Sequence, residues 1–267
     1  MTEEITFTVQ HLLIDDEFPS RDEFKDIEKS FQYIKNSLAN TIYYTVYTEL
    51  TSKYFWLDIR YGSPNPRPDK VLNISNLSDE ENPRTNNMVE QKQQLFVLYD
   101  FKYGLLYLSS FKQKGFFVEL LKEKIGKNVI IKDIYKSIDD FYKIISSIER
   151  ISFTSLKRDL FSKFGGVNKV LSDNYGMEEP EEFYIEAKYH RPINVAMKNV
   201  IKGLNEDKGI DRIIIRGLDD QGFEKIFNSG TFVQKVSFSL DKNENGLWSG
   251  VVVKANLLDK LGMENDI

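Results

Sequence analysis

Glu186 and Lys188 have the residue types and the spacing of half a metal-dependent nuclease site. Strand alternation places both side chains on one face of a predicted strand. There, a carboxylate can hold Mg²⁺ and an ammonium group can assist the attack of water. Such a site also needs an upstream aspartate, and the one nearby, Asp173, lies in a stretch with no clear strand. A solvated strand face is the favoured interpretation, and a nuclease is the alternative.

A basic segment suited to binding phosphates begins at the same strand. From residue 188 to residue 202 the chain has four Lys or Arg residues and one His, but no Asp or Glu. Lys198 and Lys202 share one side of a helix predicted to begin after Pro192, near amides that favour phosphate. Arg212 and Arg216 share a face of the next predicted strand. The predicted nucleic-acid-binding residues are Lys188, His190, Arg191, Lys198, Lys202, Lys208, Arg212 and Arg216.

The alternative for this segment is an ordinary solvated helix face in a lysine-rich chain. The net charge of −5 argues against a protein coated in basic surface. It leaves room for a local basic face, because a polyanion responds to the clustering of charge. If the cations do converge on a nucleic-acid backbone, each neutralised phosphate makes binding more sensitive to salt.

Other kinds of site have little support in the sequence. The chain has no cysteine, which excludes disulfides, thiolate metal sites and cysteine nucleophiles. No phosphate-binding glycine loop and no nucleophile-elbow motif occurs. The two histidines, His11 and His190, do not make a zinc site together. We therefore predict no cofactor, no metal and no catalytic residue, and expect a binding protein rather than an enzyme.

Residues 1–153 predict an N-terminal α+β domain. Strands are predicted at residues 4–14, 41–49, 54–61, 95–99, 105–109 and 129–134, with the 95–109 pair as a hairpin. Helices are predicted at 21–39, behind a Ser20–Glu23 capping box, at 116–125, ended by Gly126, and at 138–148. Residues 62–94 hold four of the seven prolines and predict a long loop with one short strand at 71–74.

Residues 154–267 predict a second α+β domain that contains the basic segment. Strands are predicted at 183–189, 211–216, 231–240 and 247–254, the last two as a hairpin, and helices at 194–204, 221–228 and after 257. The expected fold class is therefore α+β, with two mixed domains that each contain a largely antiparallel sheet and packed helices.

The order of elements in the C-terminal part resembles that of the RexA phage-exclusion proteins of lambdoid phage. The shared features are the strand 183–192, a helix carrying Lys198 and Lys202, and the strand and acidic turn at 212–222. The strand from Gln94 and its hairpin are also similar to the DNA-binding KwaB component of Kiwa defence systems. The resemblance implies a dimeric, non-enzymatic DNA-binding protein that senses phage replication intermediates and signals to an effector. The chain departs from RexA at Glu186 and Ala187, where RexA carries positive or neutral residues.

These observations lead to a functional expectation. The leading hypothesis is a nucleic-acid-binding sensor or accessory protein in bacterial anti-phage defence, with DNA and a nearby-encoded effector as partners. A protein-interaction module that uses the aromatic strands and the proline-rich loop is a further alternative. No apolar run approaches the roughly 20 residues that span a bilayer, and the acidic start is unlike a signal peptide. The expected location is the cytoplasm, and the expected state is a homo-oligomer.

Overall fold

The computed structural model describes residues 2–36, 40–65, 67–85, 88–135, 138–155, 183–194, 210–229 and 235–263. The chain divides into two compact units. Unit 1 comprises Met1–Ile131 and Lys235–Ile267, and unit 2 comprises Lys132–Gln234. The sequence predicted a single boundary at residue 153. The chain instead returns to unit 1 after unit 2, and residues 235–241 pair with residues 2–8.

The described elements follow one another in chain order. The strands are β1 (Thr2–Ile14), β2 (Ser30–Asn36), β3 (Thr41–Leu50), β4 (Tyr54–Gly62), β5 (Lys70–Asn73), β6 (Ser78–Glu81), β7 (Gln93–Asp100), β8 (Leu105–Leu108), β9 (Val129–Asp133), β10 (Ile145–Ser155), β11 (Phe183–Asn194), β12 (Ile210–Asp219), β13 (Glu224–Asn228) and β14 (Lys235–Asp241). The α-helices are α1 (Lys114–Ile125), α2 (Ile138–Ile144) and α3 (Gly250–Lys260). Across the described ranges, no helix has the length and apolar character needed to cross a membrane.

Unit 1 is built on an eight-stranded sheet in the order β14-β1-β8-β7-β4-β3-β2, with β9 also paired to β1. The strand pairs along this order are antiparallel. The register of β1 with β14 places Thr2 opposite Asp241 and Thr8 opposite Lys235. Unit 2 contains a four-stranded sheet in the order β11-β10-β12-β13, whose pairs are also antiparallel. The α+β prediction is confirmed.

One face of the large sheet holds the main hydrophobic core. Alternate residues of β4, such as Phe55 and Leu57, point to this face, where they are buried in one cluster with Phe117 and Leu120 of α1. Helix α1 ends at Gly126, which has the positive φ of 72° expected of a glycine in the C-terminal position. The predicted helix at 116–125 and its termination are therefore confirmed.

The opposite face of the large sheet is met by α3 and the segment that leads into it. Gln94 of β7 accepts a hydrogen bond from the Trp248 backbone amide at 2.9 Å and donates one to the Trp248 carbonyl at 3.0 Å. Lys254 of α3 donates to Glu49 of β3 at 2.5 Å. Val253, Leu257 and Leu258 of this helix are buried, so it covers part of the sheet with its apolar side.

Several predicted elements are present with small shifts. The hairpin at 95–109 is formed by β7 and β8. The predicted strand at 71–74 is β5, but the sequence did not indicate its partner β6, whose residues are Ser-Asp-Glu-Glu. The strand predicted at 183–189 continues through Pro192 to Asn194 as β11. The helix predicted at 194–204 otherwise lies outside the described residues.

Three predicted elements are wrong, and a fourth, the helix at 138–148, is present but shorter than predicted. The helix at 21–39 is a short 3-10 helix (Arg21–Phe24) followed by β2, although the Ser20 cap itself is present. The helix at 138–148 ends at Ile144, where β10 begins. The helix at 221–228 is a turn and β13, and the strand at 247–254 is largely α3. In each case the apolar residues fit two periodicities, and their tertiary partners decide between them.

A buried carboxylate lies where α3 meets the large sheet. A methyl group added at Gly250, the first residue of α3, would come within 2.0 Å of Asp58 Oδ2, so glycine is needed for this close approach. Asp58 Oδ1 is buried and has no hydrogen-bond partner among the described residues. Burial raises the pKa of Asp58 above its usual value of 3.8, and Arg60 opposes the rise.

Replacing Asp58 with Asn should stabilise unit 1 at neutral pH by about 1 kcal/mol, because it removes a charge that burial disfavours. A folded-state pKa above 3.8 means that the wild type loses stability as the pH rises from 3.8 through the raised value. The difference between Asp58→Asn and the wild type should grow over that range and then stay constant. Urea unfolding followed by tryptophan fluorescence measures it, since both tryptophans, Trp56 and Trp248, lie in unit 1.

The exposed Asp26→Asn is the matched control for the removal of one carboxylate from unit 1. A wild type and an Asp58→Asn protein with parallel stability curves between pH 3 and pH 8 would contradict the assignment of Asp58 as a destabilising buried acid.

Candidate nucleic-acid interface

The sheet of unit 2 has one apolar face and one polar face. Ile151 of β10 and Ile213 and Ile215 of β12 are buried in a cluster with Phe141 of α2 and Phe227 of β13. Because side chains alternate along a strand, the residues between them point the other way. The face opposite α2 therefore carries the polar side chains of the same strands.

Three cationic residues form a row across that polar face. Arg150 of β10 lies opposite Lys188 of β11 and also opposite Arg216 of β12. Residues directly opposite one another in an antiparallel pair point to the same face of the sheet. Arg212 lies four residues before Arg216 on β12, so it also shares this face.

A second row runs beside the cations. Ser152 of β10 lies opposite Glu186 of β11 and Ile214 of β12, and Ile214 lies opposite Asn228 of β13. Glu224 precedes Ile226, the partner of Arg216, by two residues and shares its face. We define the polar face as the residues Arg150, Ser152, Glu186, Lys188, Arg212, Ile214, Arg216, Glu224, Ile226 and Asn228.

Glu186 lies among the cations of the polar face. Its carboxylate is 3.5 Å from Arg150 Nη1 and 3.2 Å from Lys188 Nζ. The side chain of Lys188 is 60% exposed, whereas those of Arg150 and Glu186 are largely buried. The contact with Lys188 is therefore a surface ion pair of low strength, and this ammonium group remains accessible to another anion.

Arg216 is held inside the unit by a second carboxylate. Its residue surface is only 4% exposed, and its Nη1 lies 3.7 Å from Glu224 Oε1. Lys132 Nζ contacts the other oxygen of Glu224. A buried guanidinium must keep its ionic partner, because an uncompensated buried charge is costly. Arg216 thus belongs to the supporting structure of the polar face.

The predicted binding residues fall into three groups in the structure. Lys188 and Arg212 lie on the polar face, one exposed and the other half-buried. Arg216 shares that face, but its burial corrects the expectation that its guanidinium is presented to phosphates. His190 and Arg191 belong to β11, with side chains outside the described part. Lys198, Lys202 and Lys208 lie outside the described residues altogether.

Sequence reasoning missed Arg150, the central residue of the cationic row. The helix predicted at 138–148 ended just before it and left residues 149–153 unassigned. The signal that was available is the alternation of polar Arg150 and Ser152 with apolar Ile151 and Phe153, which is typical of a strand with one polar face.

The polar face is chemically suited to holding anions. Guanidinium groups present fixed N–H donors that match the geometry of phosphate oxygens, and an ammonium group adds a point charge. Glu186 is poorly suited to hold a divalent metal ion, because Arg150 and Lys188 already neutralise its carboxylate. No cluster of three or more potential metal ligands occurs in the portion of the chain that the structure describes. The geometry therefore favours an ion-pairing role for Glu186.

Comparison with known proteins adds no family to this picture: no family model and no curated protein matches the sequence.

Substitutions on the polar face should separate supporting residues from presented ones. Arg216→Gln should lower the free energy of unfolding of unit 2 by about 2 kcal/mol, because it breaks a buried ion pair. Lys188→Gln should change it by less than about 0.5 kcal/mol, because its ion pair is exposed. Hydrogen exchange of peptides from β10 and β12, measured by mass spectrometry, reports on unit 2.

Tryptophan fluorescence unfolding of unit 1 serves as the internal control, since both tryptophans lie there. Equal effects of Arg216→Gln and Lys188→Gln on exchange would show that the two cations do not differ in structural role.

Proposed function

We propose that this chain binds nucleic acid through the polar face of unit 2, and acts as a non-enzymatic sensor or accessory protein in bacterial anti-phage defence. The observation that carries the proposal is the register of β11, β10 and β12, which aligns Lys188, Arg150 and Arg216 in one row. Arg212 lies two side-chain repeats before Arg216 along β12, on the same face. The accessible cations of this face, Lys188 and Arg212, can contact phosphates of a nucleic-acid strand, whereas the guanidinium group of Arg216 is enclosed.

Two cations of this face are accessible to a phosphate: Lys188 is exposed and Arg212 is half-buried. Arg150 lies one strand spacing of about 4.8 Å from Lys188 and is largely buried, and Arg216 is buried, so these two guanidinium groups support the accessible cations. The carboxylate of Glu186 contacts Arg150, and that of Glu224 contacts Arg216. Both arginines are therefore held in place before a phosphate binds.

The basic segment adds to the same proposal. Lys198, Lys202 and Lys208 follow β11 in the sequence and precede Arg212, with His190 and Arg191 at the end of β11. We include all of these in the proposed interface on the grounds of sequence proximity. The role in defence, the dimeric state, and DNA with a nearby-encoded effector as partners are taken from the resemblance to RexA and KwaB.

Charge reversal provides the test. Lys188→Glu with Arg212→Glu, and separately Lys198→Glu with Lys202→Glu, should each weaken binding to a fluorescent DNA duplex at least tenfold at moderate salt. Each pair should also reduce the slope of log affinity against log salt by about 2, because about one unit is lost for each phosphate contact. Fluorescence anisotropy over a salt titration measures both quantities, for duplex and single-stranded DNA.

Lys112→Glu with Lys122→Glu is the matched control, because it introduces the same charge change at exposed positions of unit 1. Equal loss of affinity in the control and the unit 2 variants would reduce the effect to overall charge. Unchanged affinity in both unit 2 variants would reject the interface. Incubation of the wild type with plasmid and Mg²⁺ tests the nuclease alternative, which requires cleavage that Glu186→Ala abolishes.

A further inference from the structure

The β5–β6 hairpin, residues 70–81, forms a two-stranded sheet of its own; we call it the arm. In the part of the chain that is described, neither of its strands pairs with a third strand. An isolated two-stranded hairpin is marginally stable in water, and its outer edges carry backbone groups that can pair with another chain. The arm therefore has the form of a template for strand addition.

The arm exposes aliphatic side chains at its end. Ile74 is 86% exposed and Leu77 is 77% exposed, and Leu72 on β5 is also more than half exposed. A solvated turn is ordinarily made of polar residues and glycine. Several large aliphatic residues exposed together on one small element are typical of a surface that contacts another molecule.

The backbone at Leu77 strengthens this interpretation. Leu77 has a positive φ of 56°, in the left-handed region that asparagine and glycine adopt most readily. Its amide donates to the Asn73 carbonyl at 2.8 Å, which closes the turn. A leucine at this position costs conformational energy and exposes an apolar side chain, so the turn alone does not explain it.

The charge of the arm is concentrated on β6. Its four residues, Ser78–Glu81, are all exposed, and three of them are acidic. The register places Asp79 opposite Leu72 and Glu81 opposite Lys70 on one face, with Glu80 opposite Val71 on the other. Both faces of the arm thus present an acidic residue beside an aliphatic one, which a segment of alternating basic and apolar residues would complement.

The two chain segments at the base of the arm are joined to each other by ionic contacts. Glu90 is paired with Arg67, Arg84 and Lys92, at 3.6 Å for Arg67 and 2.5 Å for Lys92. The Asn82 amide donates to the Asp69 carbonyl at 2.8 Å, where the two strands leave the base. The acidic strand and the aliphatic turn therefore extend from a base whose two chain segments are held together.

We propose that the arm binds a basic, valine- or leucine-containing segment of a partner protein, which adds to β6 as an extended strand. Lys or Arg residues of the segment pair with Asp79 and Glu81, and an apolar residue beyond the end of β6 contacts Leu77 in the turn. A second copy of this chain is a poorer occupant, because its own acidic β6 would be repelled and its β5 offers Lys70 alone. The inference concerns unit 1 and goes beyond the nucleic-acid interface proposed for unit 2.

A pair of labelled peptides tests the proposal with the full chain. One is a blocked peptide of alternating Lys and Val, and its twin has Glu in place of each Lys. The Lys peptide should bind the wild type and shift the amide resonances of residues 70–81 in a nitrogen–proton NMR spectrum. The double variant Asp79→Lys with Glu81→Lys should lose at least about tenfold in affinity for the Lys peptide and should gain affinity for the twin.

Leu77→Asn isolates the apolar contact. Asparagine accepts the left-handed backbone, so the variant keeps or improves the turn while it removes the exposed aliphatic group. It should bind the Lys peptide several-fold more weakly, with the thermal midpoint from tryptophan fluorescence unchanged. Glu244→Lys with Asp259→Lys is the control for net charge, since both are exposed acids of unit 1 outside the arm, and it should bind as the wild type does.

Several outcomes would overturn the proposal: no binding of the Lys peptide, equal weakening by the control pair, or resonance shifts outside the arm. Concentration-dependent dimerisation in analytical ultracentrifugation that Leu77→Asn abolishes would also overturn it, in favour of a second copy as the occupant. DNA affinity is measured with unit 2 variants, so failure of either proposal leaves the other to its own test.

Discussion

The antiparallel pairing of β1 with β14 is the contact on which the architecture depends. It joins residues 2–8 to residues 235–241, and all of unit 2 lies between them in the chain. Closing so long a segment carries an entropic cost before any contact is gained. The ladder offsets this with seven residue pairs, supplemented by Thr2 donating to Asp241 at 2.6 Å and Lys242 donating to Glu3 at 2.6 Å. The segment from Lys235 onward is therefore part of unit 1, and unit 2 is an insertion into unit 1.

The sequence predicted the parts of the fold in which local and tertiary preferences agree. Strands such as β3, β4 and β7 are rich in aromatic and β-branched residues, and α1 has both an apolar side and a glycine terminator. Prediction failed where apolar residues occupy the surface. Ile34 is 54% exposed on β2, yet its spacing from Phe31 suggested one side of a helix. Val251 is exposed on α3, yet the run of three valines suggested a strand.

The candidate site was predictable in composition but not in arrangement. The cations Lys188, Arg212 and Arg216 were recognisable as a group, and alternation along β12 correctly placed the two arginines on one face. Their alignment with Arg150 depends on the register between three strands, which include a bulge between Ile148 and Arg150. Register is set by long-range pairing, so no local pattern reveals that Arg216 is the enclosed member of the row and Lys188 the exposed one.

The energetics of the polar face argue that it serves more than folding. Arg216, Ser152 and Asn228 are buried on it, and buried polar or ionic groups seldom stabilise a fold better than apolar residues of similar volume. The opposite face of the same sheet is apolar instead, and its Ile213, Ile215 and Phe227 pack on α2 without the cost of burying charge. A small sheet that needed only stability would be expected to pack both faces in that way. The charged row is instead held in order by its own carboxylates, Glu186 and Glu224, and Lys188 is its exposed member.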